Sequence, residues 1–251
     1  MRCSRSLPTF AVLVTVVAFA ACAASGVTPS LDDQGDGDAA AKSDRGTGPG
    51  DPNPADTGAD SRNDAGEGGL FTCTPSSGPS PDLVINEIDY DSVGSEEQQE
   101  FLEILNRGNA DRSLEGLEVV FFNGGDRTDL KHVDLTPAGT LPAGGYLLIG
   151  TNTFDAGVPV RFLPIDAKVI QNGPRDAVAI LDRTTHQVID SLSYEGVYND
   201  ACNLSEGTET TAQDNNDTPG SLIRAPNGTD TNVASADWKF TSTPTPGTAN
   251  P

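Results

Sequence analysis

Five of the carboxylates within residues 87–103 stand out: Glu87, Asp89, Asp91, Glu100 and Glu103. Carboxyl groups brought together can pass a proton as general acid and base, or share a hard cation such as calcium, which takes about six to eight oxygen ligands. Alternation along an extended chain puts Glu87 on the face of Leu83 and Ile85, and Glu103 on the face of Phe101 and Leu105. On that pattern both read first as structural carboxylates bonded to turn backbone, second as calcium ligands and last as catalysts. A calcium shell would need the five sets of oxygens to converge about 2.3 to 2.6 Å from one point.

Helpers for catalysis are missing. The only histidines, His132 and His186, stand far apart with no HExxH and no cysteine beside them, and read as incidental surface residues. No GxSxG elbow, no GxxxxGK[ST] phosphate loop and no GxGxxG after a strand occurs. The chain is therefore read as a non-enzyme, with no catalytic residue and no cofactor; calcium on the five acids is the one metal considered. Arg224, in a chain short of bases, reads as the partner of a carboxylate that holds the C-terminal segment to the rest of the fold. Trp238, the only tryptophan, reads as a packing residue.

These residues have to be positioned by strands. Short apolar, β-branched runs recur at 83–90, 100–106, 117–122, 130–135, 145–149, 160–165, 177–181 and 188–194, divided by turn residues such as Asn123-Gly124-Gly125, Pro142-Ala143-Gly144-Gly145 and Asn172-Gly173-Pro174. No segment carries a sustained helical period. Eight short strands need a shared interior to bury their apolar faces, which predicts two packed antiparallel sheets. The polar stretch 205–218 reads as a long exposed loop.

In order along the chain, Leu83-Val84-Ile85-Asn86-Glu87-Ile88, Glu100-Phe101-Leu102-Glu103-Ile104-Leu105-Asn106 and Leu114-Glu115-Gly116-Leu117 resemble the lamin tail domain family. So do Leu141-Pro142-Ala143-Gly144-Gly145-Tyr146-Leu147-Leu148-Ile149-Gly150, Asp176-Ala177-Val178-Ala179-Ile180-Leu181-Asp182 and Val188-Ile189-Asp190-Ser191-Leu192-Ser193-Tyr194. Pro219-Gly220-Ser221-Leu222-Ile223-Arg224, Asp237-Trp238 and Thr245-Pro246-Gly247-Thr248-Ala249-Asn250 extend the likeness to the C-terminus. The resemblance implies an all-β, immunoglobulin-like antiparallel β-sandwich over residues 81–251, and in bacteria an accessory role without catalysis.

The N-terminus has its own logic. Arg2 and Arg5 precede an apolar run over residues 7–21, a signal-peptide pattern too short to span a bilayer, which needs about 20 apolar residues. Phe19-Ala20-Ala21-Cys22 resembles the lipobox of bacterial lipoproteins, with Phe19 in place of the usual leucine. Cleavage after residue 21 would leave Cys22 as the lipidated N-terminus, and Ala23 implies sorting to the outer membrane, periplasmic or cell-surface side. In a bacterial lipoprotein the acceptor-like triplets at Asn203, Asn216 and Asn227 read as turns.

Residues 22–80 are dominated by Gly, Ala, Asp, Pro, Ser and Thr and cannot bury a core, so they read as an acidic disordered tether. Within it, Asp32-Asp33-Gln34-Gly35-Asp36-Gly37-Asp38 lacks the closing glutamate of an EF-hand. With Cys3 in the signal and Cys22 lipidated, Cys73 and Cys202 are left, as a disulfide in an oxidising compartment or as two free thiols. The formal net charge is −22. With no basic surface to release phosphate counterions, nucleic acid is not an expected partner. The expected function is a lipid-anchored display or adhesion module for an envelope protein or glycan. The alternatives are a calcium-dependent or hydrolase-associated accessory domain, or a structural envelope spacer.

Overall fold

In the computed structural model, which describes residues 72–94, 98–125, 128–198 and 202–251 (128–130 by backbone alone), the alternating apolar runs become strands. They are β1 (Leu83–Asp89), β2 (Phe101–Asn106), β3 (Arg112–Ser113), β4 (Leu117–Asn123), β5 (Thr128–Asp134), β6 (Thr140–Leu141), β7 (Tyr146–Thr151), β8 (Arg161–Ile165), β9 (Asp176–Asp182), β10 (Val188–Tyr194), β11 (Ser221–Arg224) and β12 (Trp238–Thr241). One helical turn, α1 (Ala234–Asp237), precedes β12. No helix of the described residues is long and apolar enough to cross a membrane. The signal, Cys22 and the tether as far as residue 71 lie outside the described residues.

Six strands form one sheet in the order β12-β11-β1-β2-β7-β8 and four form the other in the order β10-β9-β4-β5, with β3 and β6 as a separate ribbon. The fold is the all-β, immunoglobulin-like sandwich the sequence predicts. Its interior is built from Leu83, Ile85 and Ile88 of β1, Leu102 and Ile104 of β2, and facing residues such as Phe121, Val178 and Ile180. A second apolar layer covers the far face of the four-stranded sheet, where Val120, Phe122, Ala179 and Leu181 lie under Tyr198, Cys202 and Leu204. Both faces of that sheet are thus buried, which is why β9 reads as a nearly continuous apolar run.

The structure departs from the sequence expectation in four places. The β7–β8 pair is parallel, not antiparallel, because residues 152–160 carry the chain back before β8 begins. Pro164 sits in that strand at the edge of the sheet, where a missing N–H is tolerated. Residues 72–80, assigned to the tether by composition, lie on the sandwich: Thr74 bridges Gln187, and the Ser80 N–H donates to Asp230 at 2.6 Å. The 205–218 stretch is a loop, but Ser205, Glu206, Thr210 and Asp214 in it are buried. Finally, β1 carries a β-bulge between Ile85 and Glu87, which turns Glu87 away from the face of Leu83 and Ile85 and sets it opposite Glu103.

Candidate functional site

The outer face of the six-stranded sheet holds the first carboxylate group. Glu87 and Glu103 are cross-strand partners, both fully buried, an arrangement that two ionised acids would destabilise. A segment after β12 lies over them and supplies donors. The Thr245 N–H and hydroxyl donate to Glu87 at 3.0 and 3.1 Å, the Gly247 N–H donates to Glu103 at 2.6 Å, and Ser221 Oγ donates to Glu87 at 2.6 Å. Asn86, the bulge residue, donates to Glu103 at 2.7 Å and accepts from the Gly228 N–H at 2.9 Å. Asn250 closes the strap by donating to the carbonyls of Asn86 and Arg224. Burial pushes the Glu103 carboxyl up to about 8, against the pull of Asn86 and Gly247, and raises Glu87 as well. These two acids are bonded to turn backbone, as the structural reading of the sequence has it.

The second group fills one end of the interior. Arg224 is fully buried, and its guanidinium reaches Asp190 at 2.8 Å, Glu206 and Asp237 at 3.3 Å and Asp230 at 3.7 Å. The expected single carboxylate partner is therefore four. The bulge in β1 explains part of the arrangement: it takes the Ile85 backbone out of the regular ladder, and the Ile85 N–H donates to Asp190 at 2.7 Å while Arg224 Nε donates to the Ile85 carbonyl at 2.8 Å. Trp238, 3% exposed, lies under the guanidinium with its ring centre 5.0 Å away, a packing residue as expected.

Burial works against the charge on Arg224, but Asp190, Glu206 and Asp230 outweigh it and raise its pKa further. Burial, and then the charge of Asp190, raise the Glu206 carboxyl well above its ordinary value, against the pull of Arg224. Asp190, Glu206 and Asp230 are close enough together to hold a metal ion. Arg224 supplies the positive charge there instead.

The third group lies at the loop end of β1. Asp89 accepts from Ser92 Oγ at 3.0 Å, and Asp91 accepts from Asn172 at 2.7 Å. Between them Tyr90 donates its hydroxyl proton to Glu195 and accepts from the Asp214 N–H at 2.7 Å. Burial, and then the charge of Asp214, lift the Asp89 carboxyl to about 8; burial lifts Asp214 to about 6. Glu100 is buried within electrostatic reach of Tyr194, whose ring stacks on Tyr90 at 4.4 Å.

The five acids singled out in the sequence are thus divided. Glu87 and Glu103 are together on the outer face, Asp89 and Asp91 are together at the loop end, and Glu100 lies beside the Asp89–Phe101 pair, within electrostatic reach of Tyr194. They do not converge on one point. Asp190, Glu206, Asp230, Asp237 and Asp214 escaped the sequence reading. Asp190 did leave a signal, since alternation puts it on the same face as the apolar Leu192 and Tyr194 of its strand.

Cys73 and Cys202 are disulfide-bonded across 129 residues of chain, with Cα atoms 5.3 Å apart, and anchor the apolar layer over the four-stranded sheet. His132 lies 3.1 Å from Glu118, and His186 Nδ1 lies 3.1 Å from the Thr72 carbonyl; neither is near the acid groups. A groove of about 550 Å³ runs between the edge strands β5 and β8, lined by Val133, Leu163 and Ile165 and crossed by a Lys131–Asp166 ion pair at 3.7 Å.

Residues 76–196 match the lamin tail domain family. That family is immunoglobulin-like and non-enzymatic. The lamin-tail match takes in β1 to β10 with Asp190, and stops before Glu206, Arg224, Asp230, Asp237 and the strap over Glu87 and Glu103. Since β11 pairs onto β1 and β12 onto β11, the folded unit runs past the matched segment. No curated protein matches the chain.

Proposed function

We propose that this chain is an exported, lipid-anchored envelope protein that presents a non-catalytic lamin-tail sandwich as a binding or adhesion module, with an envelope protein or glycan as partner. The observation that carries the reading is where its reactive residues are spent. Glu87, Glu103, Asp190, Glu206 and Arg224 are all buried and bonded to the backbone or to one another. Their work is holding strands, loop and strap together, and among the described residues no nucleophile with an adjacent base stands in the groove between β5 and β8. The lipobox-like sequence at Cys22 supports the anchor, and the Gly, Pro and Asp of the following residues suit a spacer.

Binding of the purified Cys22→Ser chain, which cannot be lipidated, to isolated cell envelopes tests the module. The reading expects saturable retention. Loss of retention after protease treatment of the envelopes identifies a protein partner, and loss after glycan removal identifies a glycan. Retention that never saturates would leave the sandwich as a spacer and defeat the reading.

A further inference from the structure

Three asparagine–glycine steps stand among the described residues: Asn123-Gly124, Asn172-Gly173 and Asn227-Gly228. Such a step is reactive because glycine, without a Cβ, lets its backbone nitrogen approach the preceding side-chain amide. Two of the three are restrained. The Asn227 Oδ1 accepts from Asn86 and from the Asn250 N–H, both at 3.0 Å, while the buried Gly228 N–H donates to Asn86 at 2.9 Å. The Gly124 N–H meets a carboxylate, Asp176 at 2.9 Å, but Asn123 is fixed by its pairing with Thr128 and by a bond from the Gly125 N–H to its Oδ1 at 2.8 Å. Asn172 is exposed in the connection before β9, and its amide makes one hydrogen bond among the described residues, from Nδ2 to Asp91 at 2.7 Å. The Gly173 N–H donates to the Glu195 carboxylate, a group placed to take its proton. The charge around Asn172 has one sign. Asp91 follows β1, Glu195 follows β10, and Tyr90, Asp89 and Asp214 lie behind them. Arg175 packs its stem against Gly196, and among the described residues no lysine or arginine nitrogen lies within 4.0 Å of Asp91 or Glu195.

We propose that Asn172-Gly173 is a self-modification site, where loss of the side-chain amide adds an acid to the loop end of the sandwich and loosens the connection before β9. The Gly173 nitrogen forms a bond to the Asn172 Cγ as its proton passes to Glu195. The Cγ–Nδ2 bond then breaks, the proton returns and the nitrogen leaves as ammonia, which leaves a succinimide ring. Water opens that ring at either carbonyl, to aspartate or to isoaspartate with the main chain rerouted through the side chain. In the aspartate product a donor to Asp91 has become a carboxylate facing it, and like charges side by side disfavour the folded arrangement. Isoaspartate also lengthens the main chain at the turn. The site does not depend on the display function and fails or stands separately from it.

The test ages the full chain in mildly alkaline buffer and maps it by proteolysis and mass spectrometry. Asn172 should convert to a mixture of aspartate and isoaspartate ahead of Asn123 and Asn227, and Glu195→Gln should slow the conversion. The Asn172→Asp variant stands for one product, and at pH 8 its melting temperature should lie about 2 to 4 °C below the parent's. That gap should close toward pH 4, where the new acid takes up a proton and can again donate to Asp91. An Asn172 that stays intact, or that outlasts Asn123 or Asn227, would overturn the proposal. So would an Asn172→Asp variant as stable as the parent at pH 8, or a conversion that Glu195→Gln leaves unslowed.

Discussion

Arg224 is the residue on which most of the buried charge depends. Its guanidinium donates to the Ile85 carbonyl, the Thr229 carbonyl, Asp190, Glu206 and Asp237. Truncation to alanine leaves four buried acids without their cation, and breaking a buried pair in this way costs about 3 to 5 kcal/mol. Urea unfolding of Arg224→Ala at neutral pH should show that loss, and a smaller one in mild acid, where the stranded carboxylates take up protons. Glu103 makes a separate prediction. Burial above all lifts its carboxyl to about 8 in the fold, against the ordinary 4.5. The native state therefore keeps a proton that the unfolded chain has released. Its contribution is fully present below pH 4.5 and is lost as the pH rises to about 8, at about 1.4 kcal/mol per pH unit while one proton differs. Melting temperatures should fall from pH 5 to pH 8.5, and Glu103→Gln should flatten the decline. A lower overall stability is expected in that variant, since both Glu103 oxygens accept from N–H groups and an amide can offer one oxygen.

At the scale of elements, the strap and the disulfide are the parts that hold otherwise unsupported surfaces. Gly247 donates to Glu103 with φ at +80°, and a Cβ there would stand 2.8 Å from Val158 Cγ2. Gly247→Ala should cost about 1 to 2 kcal/mol from the left-handed backbone alone, read as a drop in the denaturation midpoint. Reducing Cys73–Cys202, or replacing Cys73 with serine, should cost about 2 to 5 kcal/mol. The native protein should resist thiol alkylation until a reductant is added.

The eight longer strands were legible in the sequence because alternation and turn residues mark them. Strands β11 and β12, four residues each, lie between polar stretches that drown their pattern. The bulge at Asn86 was not legible, and one extra residue there moved Glu87 to the opposite face. The 205–218 loop looked exposed because its buried positions are carboxyl and hydroxyl groups. Burial there follows Arg224 and Tyr90, which lie far off in sequence or in another strand, and no local apolar signal reports it.

On the scale of the whole molecule, the buried polar groups of this acidic sandwich serve its own architecture, and in the proposed function its surface meets the partner. The net charge of −22 favours solubility and repels nucleic acid. The proposed display depends on the proposed anchor at Cys22, and that is the claim most directly open to measurement. The full chain, made in a Gram-negative bacterium fed an alkyne-tagged fatty acid, should acquire the tag and partition into the detergent phase on extraction. The Cys22→Ala variant should stay untagged and enter the aqueous phase. An untagged, aqueous wild-type chain would contradict the account and leave a freely secreted sandwich in its place.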